Sequence, residues 1–426
     1  MDRATALALD KQHVWHPFTQ VQTANDPLVI VKAEACSLID ADGRIYIDAN
    51  SSWWVNVHGH GHPYLAEALH TQFSAIDHVI FAGATHPQAI HLATRISNLL
   101  PPNLQKVFFS DDGSTSVEVA LKMAFQYWYN QGITKKKIVA LDGAYHGDTF
   151  GAMSVGHRDL FNKPFEPFFF DVDFIDFPSE SSRYKALEQA ETFFKTGDVA
   201  ALIAEPLVQG SAGMRMYDAA WLDMLVALAR KYEVLVIFDE VMTGWGRTGK
   251  LFAHNFCKQS PDLICLSKGL TGGVLPLGLT VATNEIFNAF LHPETAKGFL
   301  HGHSFTGSAL ACAMANASLD LFEQPDTWDA IEWIEQKHRI FTARLQAHPK
   351  ATNIGLCGTI LRFEVQTGEG NSYFSSIRDQ AYHYFLDYGC LIRPLGNVLF
   401  LNPPYCITDD ELEKLYKVLI DFLDSI

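Results

Sequence analysis

The stretch VLVIFDEVMTGWGRTG at residues 234–249, followed by LICLSKGLTGG at 263–273, decides the fold of this chain. It contains two short apolar runs bounded by glycine and charge, which are typical of strands buried on both faces of a parallel sheet. The first run ends on Asp239 and the second on Lys268. Because ligands of open α/β sheets bind at the carboxyl ends of the strands, we expect both side chains to face one site.

A carboxylate and an amine at neighbouring strand ends are the groups that pyridoxal phosphate requires. The amine forms a Schiff base with the cofactor's aldehyde, and the carboxylate keeps the pyridine nitrogen protonated, so that the ring accepts the electrons of a carbanion. By themselves, Asp239 and Lys268 also fit a carboxylate that caps a turn and a lysine on the surface. Motifs elsewhere in the chain decide between these interpretations.

The glycines at 244–249 also match the Gly-x-Gly-x-x-Gly fingerprint of dinucleotide-binding proteins, and Asp262 follows them. In that fingerprint the glycines come directly after the strand and a helix begins within them. Here Asp239 and Glu240 stand between the strand and the glycines, where their charges would repel a pyrophosphate. The context favours pyridoxal phosphate and leaves a nicotinamide enzyme as the weaker alternative.

The composition is that of a globular enzyme long enough for two domains, with 426 residues, 48% of them hydrophobic and 19% charged. A formal net charge of −16 argues against a nucleic-acid partner. Seven scattered cysteines without a Cys-x-x-Cys motif indicate reduced thiols in a cytoplasmic protein. The first residues lack the pattern of an export signal, and no apolar run reaches about 18 residues, so we expect neither export nor a membrane partner.

From residue 106 onwards, predicted strands and helices alternate, which is typical of a parallel sheet with helical crossovers. The apolar runs at 106–110, 137–141 and 200–205 predict three of these strands. Residues 160–195 are predicted to be a long surface excursion.

The turn after the first of these strands enters a helix through Gly113 and Ser114. Backbone N–H groups and the positive end of a helix dipole suit a phosphate there, although any good helix start has the same residues. Thr115 and Glu118 fit a capping box for this helix. After the second strand, Tyr145 fits either a ring stacked on a planar cofactor or a ring packed over the turn.

Both ends of the chain are predicted to consist of shorter elements. Residues 1–60 are expected to form short strands and loops, with a hairpin at 37–48 about an Asp-Gly turn. Residues 350–426 are expected to form a smaller α+β domain. Its predicted elements are strands at 358–364 and 389–396 and a final helix opened by a capping box of Thr408 and Glu411.

Three histidines alternate with glycine at His58, His60 and His62. Alternate residues of an extended segment point the same way, so the three could in principle hold a metal ion. No fourth ligand stands nearby, and the glycines indicate a tight backbone passage. We therefore predict no metal.

Several of these motifs together resemble the fold-type I, class III pyridoxal-phosphate aminotransferases. The match covers nearly the whole chain, and its motifs occur in the family's order. The shared cofactor motifs are DEV at 239–241, GWGRTG at 244–249 and SKG at 267–269. Motifs similar to the branch of the family that acts in biotin synthesis are WHP at 15–17, SSWW at 51–54, GAYHGD at 143–148, GMRMY at 213–217 and IRP at 392–394.

The resemblance implies an α/β fold in which a large domain contains a mostly parallel central sheet. It also implies a smaller α+β domain built from both chain ends. The predicted boundaries place residues 1–60 in the small domain, 61–330 in the large cofactor-binding domain, and 331–426 in the small domain again.

The resemblance also implies a role for each cofactor residue. Lys268 would bond to the cofactor and move the proton, and Asp239 would pair with the ring nitrogen. Tyr145 would stack on the ring. Gly113 and Ser114 would bind the phosphate through their backbone N–H groups.

Ser304, beside His303, is implied to reach the phosphate of a neighbouring subunit, which means a homodimer with shared sites. In the family's S-adenosylmethionine users, Pro-Thr usually stands at these two positions and a tyrosine stands at Phe18. The serine keeps the hydroxyl, whereas the histidine resembles related enzymes that use other amino donors, including lysine.

For the substrate, the resemblance implies that Trp53 walls the aliphatic part, with Phe18 and Tyr145 nearby and Gly302 lining the pocket. Arg393 would bind the substrate carboxylate through two parallel hydrogen bonds. A seven-carbon tail calls for an apolar wall, and its acid end calls for a fixed guanidinium.

The implied reaction is the pyridoxal-phosphate-dependent transamination of 8-amino-7-oxononanoate to 7,8-diaminononanoate, with S-adenosylmethionine as donor. Two alternative activities would use the same cofactor-binding residues. One forms the same product with lysine as donor, and the other is a different class III transamination of an ω-amino acid. A nicotinamide dehydrogenase is more remote. So is a catalytically silent binding protein, which would be expected to have lost Lys268 or Asp239.

Overall fold

The computed structural model describes residues 1–366, 375 and 377–426. Within these residues, no helix combines the length and the apolar character that crossing a membrane requires. Their strands form four sheets, and the largest of them, with seven strands, positions the functional site.

The N-terminal part of the chain consists of one helix, three strands and one helical turn. The hairpin predicted at 37–48 is confirmed, with its strands antiparallel about a turn in which Gly43 has a φ of 80°. The helix contradicts the expectation of strands and loops alone. It is capped by Asp2 and buries none of its residues, so it has no apolar face to reveal it in the sequence. In chain order, the elements are α1 Arg3–His13, β1 Ile30–Glu34, β2 Ser37–Asp40, β3 Ile45–Asp48 and α2 Ser51–Trp54.

Between residues 104 and 204 strands and helices alternate, as predicted, whereas at 199–216 and at 235–283 three strands follow one another without an α-helix between them. Pro63 and Pro87 occupy the first turns of the two helices that precede these strands, where a missing backbone N–H costs no intrahelical bond. The elements are α3 Pro63–Ala75, α4 Pro87–Leu99, β4 Leu104–Ser110, α5 Gly113–Asn130, β5 Lys137–Leu141, α6 Phe150–Ser154, β6 Val172–Ile175, α7 Arg183–Phe194, β7 Val199–Ala204, β8 Val208–Gln209, β9 Arg215–Met216, α8 Ala219–Lys231, β10 Leu235–Asp239, β11 Leu263–Leu266, β12 Gly278–Thr283, α9 Asn284–Asn288 and α10 Ala309–Phe322.

The seven-stranded sheet has the order β4-β12-β11-β10-β7-β5-β6. Only β12 runs antiparallel to its neighbours, so the prediction of a mostly parallel central sheet is confirmed. Strands β7, β10 and β11 are buried along their whole length. This burial on both faces explains why they appear in the sequence as continuous apolar runs.

The prediction of a surface excursion at 160–195 is wrong. Within this range, β6 pairs parallel with β5 at the edge of the central sheet, and α7 buries Ala186, Ala190 and Phe194. The strand has only four residues and is mostly half-buried, so it lacks the long apolar run of the central strands.

The C-terminal part completes a second sheet begun by the N-terminal part, because β15 pairs parallel with β3. The four-stranded sheet β1-β2-β3-β15 is therefore built from both chain ends, as the resemblance implies. The capping box of Thr408 and Glu411 is confirmed, whereas the strand predicted at 389–396 is limited to two residues. The domain boundaries given above remain predictions. The elements are α11 Pro325–Gln346, β13 Ala351–Cys357, β14 Ile360–Val365, α12 Ile377–Asp387, β15 Cys390–Leu391, β16 Val398–Leu401 and α13 Asp409–Ser425.

Candidate active site

A pocket of about 430 Å³ lies at the carboxyl ends of the central strands. Asp239 ends β10, Lys268 follows β11, and Glu205 follows β7. Because these strands are parallel, their ends meet at one edge of the sheet. The predicted site residues that line the pocket are Trp53, Gly113, Ser114, Tyr145, Asp239 and Lys268.

The carboxylate of Asp239 is buried and held by two donors. His146 Nδ1 lies 2.7 Å from one carboxylate oxygen, and the backbone N–H of Val241 donates to the other at 3.0 Å. The second ring nitrogen of His146 is buried and has no hydrogen-bond partner among the described residues. His146 is not among the predicted site residues, although it belongs to the same GAYHGD motif as Tyr145.

Glu205 is a buried carboxyl group in the same pocket that the site prediction omitted. Its oxygens accept from the backbone N–H groups of Tyr145 at 3.1 Å and Gly210 at 2.9 Å. Burial raises the pKa of Glu205 to about 7; the charge of Asp239 acts in the same direction, and His146 opposes it. A signal for this residue was its position at the end of the strand predicted at 200–205.

The side chain of Lys268 lines the pocket. The residue has a φ of 47° at the start of a short 3-10 turn, and its Nζ lies 4.9 Å from the centre of the Trp54 ring. Burial lowers the pKa of Lys268, and Arg247 acts in the same direction, while the carboxylates of the pocket oppose both. In the part of the chain that the structure describes, Nζ has neither a hydrogen bond nor an ion pair. A lowered pKa favours the neutral amine that attacks a carbonyl carbon.

The N-terminus of α5 forms one wall of the pocket. A methyl group added at Gly113 would lie 2.7 Å from Val241 Cγ1, so only glycine fits without a shift. The backbone N–H groups of Gly113 and Ser114 have no acceptor within the described residues. Such orphan donors at a helix start bind anions.

The capping box predicted from Thr115 and Glu118 is wrong. Asp112 is the N-cap and Thr115 the third helical residue of the box that forms. Glu118 instead accepts from the backbone N–H groups of Gly151 and Ala152 and so caps the start of α6. Aspartate and threonine both cap helices, so the pattern alone fits more than one register.

Tyr145 lines the pocket, and its hydroxyl donates to Asp148 at 3.0 Å. Burial raises the pKa of Tyr145, and the charge of Asp148 raises it further, so the hydroxyl stays protonated. The neighbouring Gly147 has a φ of 122°, and a Cβ there would lie 2.0 Å from Ser114 Oγ. The loop that carries Tyr145 is thereby packed directly onto the start of α5.

Phe18, Trp53 and Arg393 form a cluster beside the pocket. The ring centres of Phe18 and Trp53 are 5.5 Å apart, and Arg393 Cζ lies 4.6 Å from the centre of the Trp53 ring. The backbone of Arg393 is fixed by a 2.8 Å hydrogen bond to Asn50 Oδ1. Phe161 adds a third ring, 6.3 Å from Phe18, and sequence reasoning missed it because it lies in the range assigned to the surface excursion.

Gly302, His303 and Ser304 do not line the pocket of their own chain. His303 Nε2 comes within 3.7 Å of Asp111, which does line it. The carbonyl of Ser304 accepts from His78 at 2.8 Å. Within one chain, the structure therefore leaves these three residues apart from the other predicted site residues.

The histidines at 58–62 and the glycines at 244–249 have structural roles outside the pocket lining. His58 is hydrogen-bonded to Ser318 at 2.9 Å, and His60 to Asp48 at 2.8 Å. Across residues 1–366, 375 and 377–426, no group of three or more histidine, cysteine, aspartate or glutamate side chains could hold a metal ion. The glycines at 244–249 form a buried turn, and no helix begins within them.

Comparison with known proteins decides which class of enzyme has this site. The family model described as aminotransferase class-III matches residues 18–423. The chain belongs to the class III aminotransferases.

Relatives of this aminotransferase match over nearly their whole length. The adenosylmethionine-8-amino-7-oxononanoate aminotransferase of Synechococcus elongatus is 47% identical, over 97% of this chain and 99% of its own. A crystal structure of the enzyme of that name from Methanocaldococcus jannaschii has a TM-score of 0.94 at 33% identity, covering 100% of this chain and 99% of its own. The crystal structure of an amine transaminase from an uncultivated Pseudomonas species, in its PLP-bound (pyridoxal-phosphate-bound) form, has a TM-score of 0.89 at 26% identity. The match covers 96% of this chain and 98% of that one.

Class III aminotransferases depend on pyridoxal phosphate, so this is the cofactor of the enzyme and the nicotinamide alternative is wrong. The pocket fits the cofactor. It offers orphan N–H donors at a helix start for the phosphate, a buried carboxylate for the ring nitrogen, and the half-buried amine of Lys268 for the aldehyde. The unpartnered Nε2 of His146, beside Asp239, is a further polar atom left for a bound group or water.

Proposed function

We propose that this class III aminotransferase converts 8-amino-7-oxononanoate to 7,8-diaminononanoate in biotin biosynthesis, with S-adenosylmethionine as amino donor. Relatives that are 36% to 47% identical over nearly the full chain carry the name adenosylmethionine-8-amino-7-oxononanoate aminotransferase, which supports the proposal. The observation on the molecule that carries it is the pairing of Trp53 with Arg393.

This pair matches the two ends of the substrate. Trp53 lines the pocket and presents an apolar ring, which suits an aliphatic chain. Arg393 stacks on that ring at 4.6 Å, is exposed, and has no carboxylate partner among the residues that the structure describes. A guanidinium in this state is free to bind a carboxylate through two parallel hydrogen bonds.

Lys268 is the proposed nucleophile and proton carrier. When bound, pyridoxal phosphate supplies an electron sink that stabilises a carbanion at the substrate carbon. Because burial lowers its pKa, Lys268 Nζ takes up the proton from the carbon that bears the donor's amino group. It returns a proton to the acceptor carbon in the second half of a ping-pong reaction.

Asp239, His146 and Glu205 are proposed to set the charge around the cofactor ring. Asp239 would accept from the ring nitrogen, and His146 holds the carboxylate in one orientation. Glu205, with a pKa of about 7, has a charge that changes near neutral pH. Tyr145 is proposed to cover the ring, and its position depends on Glu205 through the backbone N–H bond.

We further propose a homodimer in which each subunit completes its partner's site. Ser304 would bind the phosphate of the neighbouring subunit, alongside the N–H groups of Gly113 and Ser114 in that subunit. Ser304 does not line the pocket of its own chain, and neither do Gly302 and His303, which supports this assignment. Size-exclusion chromatography with light scattering tests the dimer, and a monomer that is active at assay concentration would refute the shared site.

The location is proposed to be the cytoplasm. Seven free cysteines, with no disulfide framework among the described residues, support a reducing compartment. Fractionation of cells that produce the full chain, followed by immunoblotting, tests this.

The amino donor is tested by separating the half-reactions. Purified holoenzyme receives S-adenosylmethionine, lysine or ornithine without acceptor, and the visible absorbance of the bound cofactor is followed. A change with S-adenosylmethionine, and 7,8-diaminononanoate by mass spectrometry once 8-amino-7-oxononanoate is added, are the expected results. A response to lysine alone would keep the product and change the donor. A response to ornithine alone, with no diamine formed, would point to another ω-amino acid aminotransferase.

A further inference from the structure

Two cysteines that are 370 positions apart in the sequence lie side by side in the fold. The sulfur atoms of Cys36 and Cys406 are separated by 3.6 Å. Cys36 is buried directly before β2, and Cys406 is exposed in the turn that precedes α13. Neither residue lines the pocket of the proposed reaction.

The surroundings of the two thiols shift their pKa values in opposite directions. The hydrogen bond between the two sulfur atoms lowers the pKa of Cys406, although the charges of Glu411 and Asp48 oppose this. The same hydrogen bond, together with burial, raises the pKa of Cys36. The exposed thiol is therefore the one with more thiolate character, and thiolates are the form that reacts with oxidants.

The backbone around the pair is fixed by a short segment that runs between the two cysteines. Ala35 and His60 exchange two backbone hydrogen bonds, of 2.9 and 2.8 Å. The backbone N–H of Tyr405 donates to the carbonyl of Val57 at 2.9 Å. Gly59 lies against the pair: a Cβ there would be 2.4 Å from Cys406 Sγ and 3.0 Å from the carbonyl oxygen of Ala35. Because glycine has no Cβ, the sulfur of Cys406 can occupy this space.

The other cysteines lack such a neighbour. In the part of the chain that the structure describes, which includes all seven, no second pair of thiols is in hydrogen-bond contact. Cys257 is partly accessible and is the natural comparison.

We propose that Cys36 and Cys406 form a site of oxidative modification, at which a hydroperoxide converts the two thiols into a disulfide. The Cys406 thiol attacks the peroxide, giving a sulfenic acid and one water (or alcohol) as the O–O bond breaks. The Cys36 thiol then attacks that sulfur, a second water leaves, and the S–S bond forms. The two cysteines are oxidised by two electrons and the peroxide is reduced by two. Closing the bond brings the sulfurs from 3.6 Å to about 2.05 Å.

The test uses the holoenzyme treated with hydrogen peroxide and then digested without reductant. We expect a peptide cross-linked between Cys36 and Cys406, the loss of two titratable thiols per chain, and recovery of both with dithiothreitol. Cys257→Ser is the matched control and should form the same cross-link. Cys406→Ser should form none and should keep the thiol of Cys36.

Thermal unfolding gives a second readout. A disulfide that closes so long a loop restricts the unfolded chain, so oxidation should raise the Tm of wild type and of Cys257→Ser, reversibly, and leave Cys406→Ser unchanged. If Cys406→Ser fails to fold, the peptide map of the wild type decides alone. Oxidation of Cys406 to sulfinic acid without the cross-link, or a cross-link only between chains, would overturn the proposal.

Discussion

His146 Nδ1 lies 2.7 Å from Asp239 Oδ2, and both side chains are buried. The other oxygen of Asp239 accepts from the backbone of Val241, so the carboxylate has two donors and one orientation. In a buried site such hydrogen bonds are strong, and losing one leaves a charge poorly solvated. The geometry therefore makes His146 the residue that holds the Asp239 carboxylate in this orientation.

The first prediction concerns this contact. Replacing His146 with leucine removes a hydrogen bond to a charged group, worth about 1.5–3 kcal/mol. We expect cofactor affinity to fall by roughly 10- to 150-fold, measured by titrating the cofactor-free enzyme and following visible absorbance. His146→Asn, whose amide can donate in place of Nδ1, should retain part of the affinity. Equal Kd values for all three proteins would contradict the assignment.

A second prediction follows from the pKa of Glu205, raised from 4.5 to about 7. Between these values the folded state binds more protons at this group than the unfolded state does. Stability therefore falls as pH rises through this window, by up to about 3 kcal/mol for a shift of this size. Glu205→Gln cannot titrate and should lose this part of the pH dependence.

The measurement is chemical unfolding of the cofactor-free protein at several pH values from 4.5 to 8. Comparing the slopes of stability against pH removes any constant cost of the glutamine, whose amide cannot accept both backbone N–H groups that Glu205 binds. Parallel curves for wild type and Glu205→Gln would show that this carboxyl group has an ordinary pKa.

The third prediction is the loss of turnover on removing the amine. Lys268→Ala lacks both nucleophile and proton carrier, so kcat should fall by at least about 10²–10⁴-fold. Lys268→Arg keeps a positive charge but not the neutral amine, and should be equally inactive. Steady-state assays of both variants, with wild-type stability confirmed by thermal unfolding, provide the check. A Lys268→Ala enzyme that turns over normally would remove this residue from catalysis.

The fourth prediction separates substrate binding from chemistry. Arg393→Ala should raise the KM for 8-amino-7-oxononanoate by roughly 10- to 150-fold, the equivalent of about 1.5–3 kcal/mol, with a smaller change in kcat. Arg339→Ala is a control, since that exposed arginine pairs with Glu335 on a helix that does not line the pocket. An unchanged KM in the Arg393 variant would leave the carboxylate without its proposed partner.

The sequence was sufficient to locate the centre of the site. Asp239 and Lys268 end continuous apolar runs, and strands buried on both faces are the clearest signal that hydrophobic patterning offers. Tyr145 and the start of α5 followed because glycine-rich turns mark strand ends. Each of these inferences depends on residues close together in the chain.

The missed features depend on contacts between distant residues. His146 meets Asp239 across 93 positions, and nothing local distinguishes a histidine that orients a carboxylate from one that packs in a core. Phe161 reaches Phe18 from a segment whose only nearby strand is short and half-buried. The helix α1 has no buried face at all, so hydrophobic periodicity could not reveal it.

The last prediction tests the helix start as the phosphate site. Gly113→Ala would place a methyl group 2.7 Å from Val241 Cγ1, so the backbone or the valine must shift, at a cost of about 1–3 kcal/mol. Because the shift moves the N–H groups aimed into the pocket, cofactor affinity should fall together with stability. Gly156→Ala, whose added methyl finds no atom closer than 3.4 Å, should leave both unchanged.

A double variant makes this prediction decisive. Val241→Ala removes the atom that the new methyl group would meet, so Gly113→Ala in that background should regain cofactor affinity. Coupling of this kind is expected only for side chains in direct contact. Cofactor Kd values measured for the four proteins of this cycle report the coupling. If the effects of the two substitutions simply add, the loss in Gly113→Ala comes from the helix itself, and the steric explanation fails.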